Sequence, residues 1–279
     1  MRDLIRESKM RQGNFTNSKI WTLLTTGKQE GGFGAKGWTY ICERNMERQM
    51  GLPLTVETSN HNFSWGKVCE IRIFEILPTS YQMMSRETLQ HPTIDYWTGS
   101  PDAKNIEFFG SATDEKPTVL ITGTEFKCPI TRKSYMTFYN CADIQEAREK
   151  HDDCEGYYWQ TTAGGMLIIA NEFVKDGMEP EAAVEKILVT PFPVEMIVYM
   201  PYQSELAEIK EISQNMDVAD PYQFFWIFNG HDEELPYLKD LEEGGKVENI
   251  KKFSWVPTED EKRKLTAAVK KAGNYLITK

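Results

Sequence analysis

Residues 118–129 read TVLITGTEFKCP. The run is rich in β-branched residues and closed at either end by Pro117 and Pro129, which marks a strand. Side chains two apart on a strand share a face, so Glu125 and Lys127 project together while Phe126 turns into a core. Upstream stands Ser100-Pro101-Asp102. With Asp102 on the neighbouring strand and facing the same way, two carboxylates and an ammonium converge. Carboxylate oxygens suit Mg²⁺, which keeps waters for catalysis. A lysine beside it can orient a water and offset charge developing on a phosphoryl group. Asp…ExK alone also describes an ordinary solvated strand; here a proline and apolar residues surround it.

Working outward, residues 1–26 read as a helical lead-in in which Asn17 or Ser18 can cap an apolar stripe. Residues 27–37, GKQEGGFGAKG, form a glycine-rich loop without the order of a phosphate loop. A helix follows over 38–50, ended by Gly51 and Pro53. Another starts near Asn62, with Phe63, Val68, Ile71 and Leu77 on one side and Glu70 near its edge. Residues 93–109 suggest a strand pair and 110–118 a turn, and 103–118 read as an enlarged loop. A polar helix covers 141–156, then GYYWQTTAGGMLIIA reads as a buried helix and 194–202 as a strand. The order of helix, strands, helix and strand gives an α/β (α+β) fold with a central mixed sheet flanked by helices. The whole of 1–279 is expected to form a single domain. Trp65, Trp97 and Trp159 are expected in the core, and the run His151–Glu155 as a solvated helix end and not a metal cluster.

Composition bounds the rest. The chain has 279 residues, 40% hydrophobic and 27% charged, which fits a globular protein and excludes a mainly disordered one. Lys and Arg number 32 against 42 Asp and Glu, a net charge of −10. That argues against coating nucleic acid by charge alone, and leaves open a DNA enzyme whose basic residues are local. No apolar run approaches the roughly 20 residues of a membrane span, and MRDLIRESKMRQG holds no apolar stretch for a signal peptide. Cys42, Cys69, Cys128, Cys141 and Cys154 are odd in number and form no CxxC pair. A reducing, cytoplasmic setting is expected.

Five pieces in order, Arg11-Gln-Gly-Asn-Phe-Thr-Asn-Ser18, Trp65-Gly-Lys-Val-Cys-Glu70, Ser100-Pro-Asp102, Glu125-Phe-Lys-Cys-Pro129 with the residues on to Phe138, and Tyr157-Tyr-Trp-Gln160, resemble the phage lambda-type exonucleases of the PD-(D/E)xK nuclease superfamily. The resemblance covers about residues 10–210, leaving 211–279 as a C-terminal extension. It implies a PD-(D/E)xK core and a metal-dependent DNA exonuclease acting on linear duplex from 5′-phosphorylated ends. It implies that Asp102, Glu125, the Phe126 carbonyl and Glu70 hold metal, Mg²⁺ with Mn²⁺ as a substitute and two ions per site. Lys127 would position the attacking water and Gln160 complete the catalytic set. Arg11, Ser18, Ser100 and one of Arg132 or Lys133 would bind a 5′-phosphate. A homotrimer around DNA and a single-strand annealing partner are also implied. The chain departs from the family in having Ala103 after Asp102, and 23 positions between Asp102 and Glu125. The competing readings are an endonuclease or single-strand nuclease on the same core, and a catalytically silent DNA-binding accessory protein. A silent member would tend to lose the lysine or a carboxylate, and this chain keeps Glu70, Asp102, Glu125 and Lys127.

Overall fold

The computed structural model describes residues 10–28, 32–54, 60–84, 88–109, 118–216 and 222–278. Its strands are β1 (Phe15–Thr16), β2 (Tyr81–Met83), β3 (Leu89–Gln90), β4 (Trp97–Gly99), β5 (Ala103–Phe109), β6 (Thr118–Lys127), β7 (Val194–Tyr199) and β8 (Ile250–Trp255). Its helices are α1 (Asn17–Ile20), α2 (Ala35–Met50), α3 (His61–Ile76), α4 (Arg132–Tyr139), α5 (Ile144–Lys150), α6 (Cys154–Lys175), α7 (Pro180–Val189), α8 (Leu206–Gln214), α9 (Phe225–Phe228) and α10 (Glu259–Gly273).

β6 lies at the centre of a five-stranded sheet in the order β2-β5-β6-β7-β8. It pairs antiparallel with β5, Ala103 opposite Thr124, and parallel with β7, Glu125 opposite Met196. The other two pairings are antiparallel, so the sheet is mixed. A parallel pair needs a long crossover; here α4 to α7 supply it. All six residues of β7 are buried because both faces are covered. Met196 and Val198 join the core under α6, and Ile197 and Tyr199 the core under α3 and α8.

The helix α6 sits unusually close to β6. A Cβ added at Gly123 would stand 2.8 Å from the Gly165 Cα, and one at Gly165 would stand 2.3 Å from Val194 Cγ1. Only glycines allow that approach. It lets the N-terminal turns of α6 reach the end of β6. In α3 the Asn60 side chain caps the first turn, accepting the Phe63 N–H at 2.9 Å. Its buried stripe is Trp65, Val68, Cys69 and Ile73, so the expected stripe is corrected: Phe63 is exposed and Ile71 only half-buried.

Other expectations also change. Thr16 is the N-cap before Asn17, and the expected lead-in is a short strand, a single turn of α-helix and a 3₁₀ turn, with residues 1–9 outside the described residues. The segment 93–109 is not one strand pair: β4 joins β1 and β3 in a separate small sheet, while β5 enters the main one. Residues 103–118 are not an enlarged loop either, since β5 pairs with β6 along its whole length to Phe109 opposite Thr118; the turn at 110–117 lies outside the described residues. The polar helix over 141–156 is broken: Asp143 caps α5, which ends before His151, and α6 begins at Cys154. The extension after 210 is no appendage, because β8 completes the sheet against β7 and Leu265, Val269 and Ala272 of α10 join the core. Trp65, Trp97 and Trp159 are buried as expected. Among the described residues no helix is long and apolar enough to cross a membrane.

Candidate active site

The end of β6 sets the site. Phe126 packs with Trp65 and Val68, and the strand alternation turns Glu125 and Lys127 toward α6. The Lys127 ammonium donates to Glu125 Oε1 at 2.6 Å and to Gln160 Oε1 at 3.3 Å, and lies 4.7 Å from the centre of the Tyr157 ring. The Gln160 Nε2 donates to the same Glu125 oxygen. Asp102, just before β5, accepts the Phe126 N–H at 2.7 Å through Oδ2. The backbone of the ExK segment therefore fixes the carboxylate that precedes it by 24 residues. Glu70 comes in from α3.

Electrostatics shows that these groups form one unit. Burial pushes Asp102 well above the usual carboxylate range; Glu125 and Glu70 add to this, against Lys127 and the Phe126 N–H. Burial raises Glu70 to about 7, where the pull of Lys127 opposes the push of Glu125. Burial alone would lower Lys127, but Glu125 and Asp102 outweigh it and hold the ammonium raised. Three carboxylates thus share Lys127, with Lys67 acting on Glu70 alone, an arrangement short of positive charge. Among the described residues no three His, Cys, Asp or Glu side chains already converge on one point as a ligand cage. Glu125 is turned instead to Lys127 and Gln160.

A second group gathers around Ser18 and Ser100. β1 runs parallel to β4 with Thr16 opposite Thr98, so both chains lead in the same direction into these two serines. The Ser100 hydroxyl contacts that of Thr88 at 3.0 Å, and Ser18 that of Thr16 at 3.3 Å. The Tyr40 hydroxyl accepts the Thr16 N–H at 2.6 Å, and burial raises it while the Arg44 and Arg11 charges pull it down. Arg11 is therefore close enough to act on this hydroxyl. The turn after it is held by Glu47, which accepts the Gly13 N–H at 2.8 Å and pairs with Arg44 at 2.9 Å.

The two basic candidates on α4 are Arg132 and Lys133. Arg132 donates to the Tyr237 carbonyl at 2.7 Å and stacks over the Tyr237 ring, and Lys133 is exposed. Sequence reading missed Tyr40, Arg44 and Glu47. Their spacing on one helix was a usable signal: Tyr40, Arg44 and Glu47 recur at i, i+4 and i+7. It also gave no role to Tyr157. The run at His151–Glu155 is structural: His151 stacks on Phe138 and Glu155 pairs with Arg148.

The chain is similar in structure to exonucleases. LHK-Exo in complex with dAMP is 15% identical, with a TM-score of 0.48 over 97% of this chain and 91% of that one. The alkaline exonuclease LHK-Exo from Laribacter hongkongensis is 14% identical, with a TM-score of 0.47 over 97% and 93%. A phage-related exonuclease from Haemophilus somnus 129PT is 11% identical, with a TM-score of 0.47 over 94% and 92%. No family model matches the chain, and no curated protein matches it significantly.

Proposed function

We propose that the protein is a Mg²⁺-dependent DNA exonuclease that digests linear duplex from 5′-phosphorylated ends. The observation that carries this reading is the gathering of Glu70, Asp102, Glu125, Lys127 and Gln160 from a helix, a strand entry, a strand end and a second helix. Asp102 and Glu70, raised chiefly by burial and then by carboxylate neighbours, fit a divalent cation, whose charge would favour their ionised forms. Asp102, Glu125, Glu70 and the Phe126 carbonyl would hold it. When bound, it would supply an activated water and stabilise charge on the phosphodiester.

The chain's own groups do the rest. Lys127, kept charged by its neighbours, stands ready to hold a water by hydrogen bonding and to offset phosphoryl charge. Gln160 and the Tyr157 ring fix the ammonium in place. The Phe126 N–H locks one oxygen of Asp102. Arg11, Ser18 and Ser100, with one of Arg132 or Lys133, would form the end-binding side of the site, since guanidinium, ammonium and hydroxyl groups suit a terminal phosphate dianion. A closed homotrimer, an annealing partner and a role in phage-type recombination belong to the same proposal and rest on the sequence resemblance.

The test is end-labelled linear duplex with 5′-phosphate or 5′-hydroxyl ends, incubated with Mg²⁺ or EDTA, beside a covalently closed circle. Mononucleotide release that needs Mg²⁺ and is faster from 5′-phosphate is expected. Cutting of the circle would move the assignment to an endonuclease, and no Mg²⁺-dependent product at all to a silent DNA-binding protein.

A further inference from the structure

Beside the catalytic elements lies a groove of about 790 Å³, within the range that holds a small organic ligand. One wall is aromatic. The His61 ring lies on the Trp226 ring at 4.4 Å with an interplanar angle of 21°, and Phe225, 51% exposed, stands beside them. Arg132 lines it as well, and Glu233 and Glu234 bring two carboxylates. Two of these walls grow out of the nuclease site. Arg132 follows Lys127 by five residues, and His61 precedes Glu70 by nine on α3, about 13 Å along the axis. The third comes from the segment after 210, to which the nuclease reading gives no task.

We infer that this groove is a stacking site for an unpaired base of single-stranded DNA, an inference that rests on the nuclease reading above. Every base has a π-face, so an aromatic wall takes any of them. Glu233 and Glu234 repel a phosphodiester, so the base and not the backbone enters. Arg132, whose guanidinium is held by the Tyr237 carbonyl and ring, supplies the cation for the backbone outside. Inside a duplex both faces of each base are already stacked, and a terminal base is still held flat against its partner by pairing. The groove therefore accepts a strand only after separation, which is the state digestion of its complement leaves. Continuity with β6 and α3 puts the site within a few nucleotides of the cut, where that strand first becomes single.

The experiment uses the full chain in EDTA at one salt concentration, since phosphate contacts are salt-dependent. Fluorescence polarisation compares a fluorescein-labelled short cytidine strand with the same strand carrying abasic sites. The wild type should bind the normal strand on the order of tenfold tighter, the effect of stacking one base. Phe225→Ala and His61→Ala should remove most of that ratio. Phe225 is half-exposed, so its variant should keep the fold, checked by circular dichroism, even if His61→Ala does not. Equal affinity for the two strands, or an undiminished ratio in Phe225→Ala, overturns the inference. So does self-association that Phe225→Ala abolishes without any base dependence, which would assign the groove to a second copy of the chain. Mg²⁺-dependent duplex cleavage is measured in parallel. Cleavage without base dependence removes the groove alone, and base dependence without cleavage removes the nuclease reading alone.

Discussion

Lys127→Met separates the electrostatic account of the site from a purely steric one. The substitution keeps the length and most of the volume of the side chain but removes its charge. Its partner Glu125 is 4% exposed, and in the Lys127–Glu125 pair the side chains are 18% and 6% exposed. Removing one member of a buried pair costs about 3–5 kcal/mol, because the other is left as an uncompensated charge. The partial exposure of Lys127 puts the expectation at the lower end, about 3 kcal/mol. At roughly 2–4 °C per kcal/mol for a large domain, the melting temperature in EDTA should fall by about 6–12 °C. The double variant Glu125→Gln with Lys127→Met should recover much of the loss, giving a coupling that distant sites lack. Mg²⁺ should raise the melting temperature of Lys127→Met more than that of the wild type, because the three carboxylates then lose the ammonium they share and only Lys67, acting on Glu70, is left. Turnover on duplex should drop by a factor on the order of 10² or more. Lys127→Arg should rescue stability better than turnover, since a planar guanidinium cannot replace a compact ammonium. A Lys127→Met protein that melts within about 1 °C of wild type in EDTA would refute the charge-shortage reasoning.

Three further outcomes are expected. Asp102→Asn should abolish Mg²⁺-dependent cleavage without lowering the melting temperature in EDTA, because it relieves repulsion, whereas Glu125→Gln should abolish cleavage and lower the melting temperature, because Lys127 loses its buried partner; more than a tenth of wild-type activity in either would remove that residue from the site. His91 is buried, accepts the Thr93 and Ile94 N–H groups through Nδ1 at 3.2 Å, and is lowered to about 4 by burial and then by Lys270. Its folded pKa lies below the unfolded value of about 6.5, so it costs stability progressively as pH falls from about 6.5 to 4, by about 3 kcal/mol in all; His91→Gln should flatten this part of the stability–pH curve, and an unchanged slope would show that other groups set it. Gly123→Ala should destabilise by about 1–3 kcal/mol through forced separation of α6 from β6, measured by urea titration, and should weaken activity by displacing Gln160 and Tyr157.

How far the sequence could be read depended on where each residue's partner lies. Glu125 and Lys127 were legible because the period of a strand fixes their shared face without knowledge of the rest of the fold. The central mixed sheet followed from apolar, β-branched segments such as 118–127 and 194–199. The edge strand β8 did not. Its residues Ile250–Trp255, IKKFSW, alternate only weakly and carry two lysines, as an exposed edge tolerates. A hairpin between Asp102 and Glu125 was legible, but the full length of β5 was hidden by Glu107 and by the exposed Phe108 and Phe109, which follow no buried pattern. Arg132 has a partner that motif order does not reveal. Its place after Glu-Phe-Lys-Cys-Pro makes it a candidate for phosphate, and its guanidinium also rests on the carbonyl of Tyr237, 105 residues later. That contact ties the connection after β6 to the segment that carries Phe225 and Trp226. A short four-residue helix such as α9 has no periodicity to detect, so the aromatic wall beside the site becomes visible only once the chain has folded around β6.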